Sequence, residues 1–492
     1  MERLEVTGWR ARALLPVLIY SALVMSVLST LGSPMIPTIA REQGVSLEAA
    51  QWILTVTLLV GAVVTPITGR LADGPARKMT ILLSLGLVLV GSVLSAAGPN
   101  FTILIIGRAL QGFGLGLVPL AISVARDCFP VDRIRSGVAI LSITTAVGAG
   151  LGYPVTGLIA QNLDYRAGFW FAAIISLIAL VLVVIVVPSG SLRRAQPLDI
   201  TGALLLSVAL TALLLFISQG EKWGWQSGRI IGLGVATILV GAIWIRQALR
   251  TSHPLVDLRL MANRSVLSAD IVSLLMGVSL YAMSSLVNRY VQAPAAAGYG
   301  FHAGLVGTGL MLAPLSIGSL LSTRLSRILT ARFGSNPVLT LGSIIVALDM
   351  VFIAFARTGR WEVVVAMIVL GLGISTTFAA MPLLIIQAVP ASETGSATSM
   401  NTVLRSVGGA IGSAASIALL STYTPIGSVI PTNSGYTVTF LAGAAICLVA
   451  AVVSVVLLPR TPRTGLTAPA TASADTGTRL LPANSGPRAT AQ

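Results

Sequence analysis

Fourteen apolar runs, most of them near 20 residues long, follow one another along the chain with short polar breaks between them. Their limits read as 13–35, 50–69, 79–97, 101–125, 137–159, 167–187, 200–218, 230–245, 266–287, 305–323, 338–356, 363–388, 395–421 and 437–458. A helix of that length crosses the roughly 30 Å of hydrocarbon in a bilayer. Barrel strands would instead alternate every second residue over about ten residues, and these runs do not. The pattern predicts an all-α polytopic membrane protein with about 14 transmembrane helices. The first run lacks a small-residue cleavage site after a short apolar core, so it reads as a retained span. From Pro459 onward the chain is rich in Ala, Thr, Pro and Gly and has no period. A disordered cytoplasmic tail is expected over 459–492.

Composition agrees with the pattern. Of 492 residues, 55% are hydrophobic and 10% charged, against about 25% charged in soluble domains. The net charge of +15 raises nucleic acid as a partner, but the basic residues lie in short loops and form no basic domain, so none is expected. With the N-terminus in the cytoplasm, Arg41, Arg166, Lys222, Arg229, Arg289, Arg357 and Arg360 fall outside, and Arg108 and Arg405 fall within spans. The rest of the 31 Lys and Arg then lie inside, the bias that bacterial inner-membrane proteins show. An even number of spans places the C-terminus inside as well. Cys128 and Cys447 suggest neither a disulfide framework nor a metal site.

The chain repeats itself. Phe129 to Gly152 and Val389 to Gly412 align without gaps, matching Pro130 with Pro390, Ser136 with Ser396, Val147 with Val407, Gly148 with Gly408 and Gly152 with Gly412. Gly-rich apolar helices can also align by chance. Read as a repeat, the alignment pairs the fifth span with the thirteenth and leaves two spans over. The organisation expected is a cytoplasmic N-terminus at 1–12, a six-helix bundle over 13–187, an inserted helix pair and linker over 188–265, and a second six-helix bundle over 266–458. Paired bundles around a midplane site are the architecture of secondary transporters.

Charge is concentrated in "GRLADGPARK", between the second and third spans. Asp73 there can accept hydrogen bonds from basic groups or from a helix N-terminus, which would latch two halves together. A positive-inside anchor with one stray acid is the plainer reading. Arg108 and Gln111 lie within the fourth span, in "IGRALQGFG". A buried arginine there faces the bundle interior, or else snorkels to the nearer interface. Gly148, Gly152, Pro154 and Gly157 punctuate the fifth span, where glycines also permit close helix approach.

These stretches resemble the major facilitator superfamily. Gly69, Leu71, Ala72, Asp73, Arg77 and Lys78 match its loop signature, with Gly74 in place of a basic residue and Ala76 in place of a glycine. The resemblance implies a gating loop. A degenerate partner, "LTARFG", puts Ala331 where the first half has Asp73. Arg108, Gln111, Gly112 and Gly114 resemble a second motif of the superfamily. The fifth-span stretch is similar to an antiporter motif, although Tyr153 and Thr156 depart from it. The span count, the inserted pair and stretches such as "HPLVDLRL" and "NTVLRSVGGAIG" resemble the fourteen-helix drug/proton antiporters.

No Gly-Lys-Ser/Thr stretch is present to bind nucleotide, so no cofactor is expected and a proton gradient is the expected energy source. The candidate coupling groups are Arg108, Asp270, Asp349 and Arg405, with Arg405 able to pair with either acid. Antiporters of this kind carry an acid in the first span, where this chain has Ser29 and Thr30. That absence leaves the proton-carrying acid open and favours neutral or anionic substrates. Tyr20, Gln51, Trp52, Gln111 and Asn401 are candidate cavity residues. The reading that results is a monomeric, non-enzymatic transporter whose partners are protons, the bilayer and an amphipathic small molecule. It would export that molecule; a proton-coupled importer and a transport-inactive sensor are the alternatives.

Overall fold

The computed structural model of the chain describes residues 8–31, 35–189, 197–425 and 430–457. The expected tail over 459–492 lies outside the described residues. Among the described residues, fourteen helices are long and apolar enough to cross a bilayer: Gly8–Thr30, Ala49–Ala72, Arg77–Ala97, Phe101–Cys128, Arg133–Ile159, Tyr165–Val186, Ile200–Gly220, Gly228–Arg250, Arg264–Gln292, Val306–Phe333, Pro337–Phe355, Arg360–Ala388, Ala391–Ser421 and Asn433–Leu457. They are numbered first to fourteenth below. The described residues contain no strand. Side chains such as Leu204, Ile238 and Val456 are exposed along the outer surface, as lipid-facing positions must be where the surroundings are as apolar as the core.

Two hydrophobic cores form. Leu14, Leu18, Ile81, Leu85 and Phe169 centre the one in the first six spans. Met276, Met350, Phe378 and Phe440 centre the one in the last six. Neighbour relations repeat at an offset of eight spans. The first span packs on the fifth and sixth as the ninth packs on the thirteenth and fourteenth, and the third packs on the sixth as the eleventh packs on the fourteenth. Across the middle, the second span meets the thirteenth and the fifth meets the tenth. The fold is therefore two six-helix bundles with an inserted pair.

The aligned glycines show why the repeat is written as it is. A Cβ at Gly148 or Gly152 would lie 3.2 Å from the Leu23 carbonyl or 3.0 Å from the Val27 carbonyl of the first span. A Cβ at Gly408 or Gly412 would lie 2.0 Å from the Leu274 carbonyl or 2.1 Å from the Val278 carbonyl of the ninth. In the second half backbone meets backbone without a side chain between; in the first the glycines also make room for side chains, since a Cβ would lie 2.3 Å from Ser26 Cβ at Gly148 and 1.9 Å from Thr30 Oγ1 at Gly152.

The inserted pair sits to one side. Ala203, Leu206, Leu210 and Leu214 of the seventh span join Ala62 of the second and Met400, Val403 and Val407 of the thirteenth in one apolar cluster. The seventh span thus covers the seam where the halves meet. The eighth span leans on the seventh and buries only Ile230, Trp244 and Ala248.

The first helix ends at Thr30, short of the expected limit at 35, and a short helix, Ile36–Glu42, follows. The expected run stops at 35, so this second element lies wholly beyond it.

Replacing Gly408 by alanine should lower the thermal stability of the detergent-solubilised protein by about 1–3 kcal/mol, the usual range for overpacking. Gly86→Ala, at a helical glycine with open space around it, should be neutral or slightly stabilising. Equal melting temperatures for the two variants would contradict this account of the helix contact.

Candidate functional site

The face that carries the loop between the second and third spans also carries most of the basic residues. It is called the basic face here. At that face the second span runs against the start of the thirteenth, and contact is close. A Cβ on Gly69 would lie 1.9 Å from Ser399 Oγ, and one on Gly395 would lie 2.4 Å from the Gly69 carbonyl oxygen. Two glycines facing each other let the halves touch.

This approach brings Asp73 to a helix end in the other half. Its Oδ1 accepts from the Gly395 backbone N–H at 2.7 Å and its Oδ2 from that of Ser396 at 2.9 Å. Both amides belong to the first turn of the helix Thr394–Ser421. The first N–H groups of a helix have no intrahelical acceptor, and the helix dipole favours an anion beside them. One turn earlier, Arg70 forms a 2.7 Å ion pair with Glu393. Arg126, in the last turn of the fourth span, donates to the carbonyls of Ile386, Val389 and Pro390 at 3.1, 3.2 and 3.4 Å, and to Thr394 Oγ1. Those carbonyls lie where the twelfth span ends, which favours a cation. Three side chains of the first half thus clasp one helix junction of the second.

Gly69 and Asp73 lie in this clasp; Arg77 and Lys78 do not. Arg77 is buried against Asp127 of its own half, and Lys78 donates to the Val184 carbonyl at 3.0 Å. Sequence reasoning passed over Arg126 and Glu393 and did not single out Arg70. Arg126 sits in the last turn of a span and Glu393 beside a repeated Pro-Ser stretch, and neither signal says that the two would meet. Across the pseudosymmetric seam, the exposed Ala331 offers no such group.

In the fifth span, Gly148 and Gly152 face the first span, as described. Gly150, between them, faces the other half: Ser316 Oγ of the tenth span donates to the Val147 carbonyl at 2.9 Å, and a Cβ at Gly150 would meet that oxygen at 2.2 Å. Pro154 lies inside the helix and is half-buried, and Gly157 is buried.

Arg108 is fully buried. Its Nε donates to the Ile53 carbonyl at 2.9 Å, and its Nη1 to the Leu28 carbonyl at 3.4 Å and to Gln111 Oε1 at 2.6 Å. Gln111 donates in turn to Ser92 Oγ at 2.9 Å. One guanidinium therefore ties the first, second and fourth spans, and through Gln111 the third. Interior placement, not snorkelling, is what the structure shows.

Asp270 and Asn401 meet, with Nδ2 donating to Oδ1 at 2.9 Å; Asn401 also engages the Ala269 carbonyl and Ser273. Asp349 is buried near Cys447. Asp270 Oδ2 and both oxygens of Asp349 are buried without a hydrogen-bond partner. Neither acid forms an ion pair with Arg405, so the pairing expected from sequence is absent among the described residues. Arg405 instead stacks over the Phe378 ring, 4.6 Å from its centroid.

The candidate cavity residues divide. Gln111 and Asn401 are buried, with their amides engaged as above. The Tyr20 hydroxyl donates to the Ile175 carbonyl at 3.2 Å, within the first half. Gln51 is exposed and Trp52 half-buried near the end of the second span away from the basic face.

A profile of the Major Facilitator Superfamily matches residues 18–413. The chain belongs to that superfamily. It is a superfamily of transporters, not of enzymes. An uncharacterized MFS-type transporter of Mycobacterium tuberculosis is 28% identical over 82% of this chain and 59% of its own length, so the chain spans about six-tenths of that relative. The multidrug resistance protein B homolog of the same species is 26% identical over 78% of this chain and 71% of its own. The tetracenomycin C resistance and export protein of Streptomyces glaucescens is 26% identical over 77% and 70%. The crystal structure of the human organic anion transporter MFSD10 shares the fold, with a TM-score of 0.62, 14% identity and coverage of 90% of this chain and 99% of that one.

Two variants probe these contacts. Hydrogen bonds to charged groups contribute about 1.5–3 kcal/mol each, so Asp73→Ala should open the basic face at least about tenfold more often. The measure is alkylation of Ser399→Cys in a chain whose Cys128 has been replaced; an unchanged rate would show that Asp73 does not hold the seam. Arg108→Ala should lower thermal stability by about 3–5 kcal/mol, since it leaves a buried polar network without its hub. A melting curve like that of the unmodified protein would remove Arg108 from this structural role.

Proposed function

We propose that the chain is a secondary active transporter that exports amphipathic small molecules in exchange for protons. It lies in a bacterial cytoplasmic membrane with the basic face inside, where Arg-rich loops are favoured. The observation that carries this reading is the clasp of Arg70, Asp73 and Arg126 on the junction between the twelfth and thirteenth spans. It joins the two halves by polar contacts that can break and re-form together, as a gate between two access states requires. With this gate shut, a site between the halves is barred from the cytoplasm. The names of two relatives, one for multidrug resistance and one for resistance and export, support outward transport.

Proton exchange rests on Asp270 and Asp349. They lie within spans of the second half, and acids in such places are proton-relay residues in pumps and transporters. Asp270 is the better placed, because Asn401 ties it to the thirteenth span, whose first turn Asp73 holds. A proton gained or lost there acts on the same helix as the gate.

The test is export from a bacterium stripped of its own drug pumps. Cells expressing the chain should accumulate less of at least one dye, antibiotic or neutral natural product than empty-vector cells, and a protonophore should erase the difference. Asp270→Asn should cut gradient-driven export at least about tenfold while leaving substrate exchange across vesicles measurable, a loss of coupling rather than of binding. No protection across the panel, at good membrane abundance, would end the exporter reading. Export indifferent to the protonophore would end the proton reading alone.

A further inference from the structure

Arg405 stands apart from every other charged group within the spans. It lies midway along the thirteenth span, surrounded by protein, yet is only half-buried. Tyr281 of the ninth span, its electrostatic neighbour, is likewise deep in the protein and 38% exposed. Accessible surface at that depth, on side chains enclosed by protein, marks the wall of an internal cleft. The ninth and thirteenth spans supply the wall, through Tyr281 and Arg405, and the buried Phe378 of the twelfth backs the guanidinium.

Arg108 shows what a structural arginine looks like in this protein: wholly buried, with Nε and Nη1 donating to backbone carbonyls and an amide and Nη2 alone without a partner. Arg405 makes no hydrogen bond and no ion pair among the described residues, and its one contact of note is the Phe378 ring. Asp270 is engaged by Asn401 one turn away. A guanidinium carries five N–H donors in a fixed fork that fits a carboxylate or sulfonate. A charge set within a span and left without a partner points to function. The repeat sharpens the contrast. At the 260-residue offset of the aligned glycines, Arg405 corresponds to Thr145, so the cation belongs to one half only.

We propose that Arg405 is the anion-recognition residue of the substrate site, and that the transported class is a flat apolar molecule bearing one acidic group. The acid sits on the guanidinium and the Tyr281 hydroxyl, and the ring system lies along the exposed part of the Tyr281 ring. This inference rests on the transporter reading above, whose substrate class it names.

The test uses three probes with one ring system and different charge: 2-naphthoate, 2-naphthamide and 2-naphthylmethylammonium. Equilibrium binding is measured on the full-length protein in nanodiscs, and transport in proteoliposomes with an imposed pH gradient. The unmodified protein should bind naphthoate at least about tenfold more tightly than either other probe. Arg405→Gln should abolish that preference with the melting temperature unchanged, Arg405→Lys should keep part of it, and Tyr281→Phe should weaken naphthoate alone by a few-fold. If Arg405→Gln does not fold, the lysine and phenylalanine variants carry the test. Naphthoate bound no more tightly than the amide, or bound equally by Arg405→Gln, overturns the proposal. Transport of the amide or the cation without naphthoate binding overturns the anion site and leaves the exporter standing. Arg405-dependent naphthoate binding with no transport of any probe supports the site and counts against the exporter.

Discussion

The arrangement turns on the electrostatics of two helix ends. Where the twelfth span stops and the thirteenth starts, the carbonyls of one helix and the amides of the next lie close together, with opposite partial charges. The first half meets them with a matched pair: Arg126 on the carbonyls and Asp73 on the amides. Neither group needs a particular side chain in return, because backbone supplies the partner. The contact therefore depends on the helices being where they are, and so reports the relative position of the halves. A few charge-assisted hydrogen bonds amount to several kcal/mol, enough to set which of two states is populated and small enough to be reversed by a ligand.

Around this contact the frame is twofold and the chemistry is not. Glycines at matched places close the first span on the fifth, where they face Ser26 and Thr30, and the ninth on the thirteenth, where they face backbone carbonyls. Packing of this kind is indifferent to which half it serves. The groups that can hold charge are distributed otherwise. Arg108 binds the first half together internally, while Asp270, Asp349 and Arg405 all lie in the second. One half thus supplies a braced partner and the other holds the charged groups buried within the spans that the proposed coupling invokes.

Much of this was legible in the sequence, for identifiable reasons. Span number follows from run length, and the second half from the glycine spacing, because both are one-dimensional quantities. Gly69 and Asp73 stood out because their loop is charged in an otherwise apolar chain. Arg126 and Glu393 did not, because Arg126's partners are 260 to 268 residues away and Glu393's partner Arg70 is 323 away, and only the fold brings them together. Arg77 and Lys78 looked like part of the same device and are not: adjacency along the loop says nothing of which half a side chain turns to. The short helix Ile36–Glu42 was invisible for a different reason, since it lies beyond the apolar run at 13–35 and is too short to cross a bilayer. Arg405 was found as a charge within a span, but its lack of an acidic partner could be seen only once Asp270 was placed against Asn401.

The inserted pair gives the molecule two unlike flanks. The seventh span covers the seam between the second and thirteenth spans, and the pair stops there; no inserted helix packs across the fifth–tenth seam among the described contacts. A duplicated protein without the pair would present the same seam twice to its surroundings. If the halves rock as proposed, one seam would move against fixed side chains and the other against acyl chains whose length, order and lateral pressure vary with the membrane. The stiffness of the rocking motion is then partly a property of the protein and partly a property of the lipid, and only one flank feels the second.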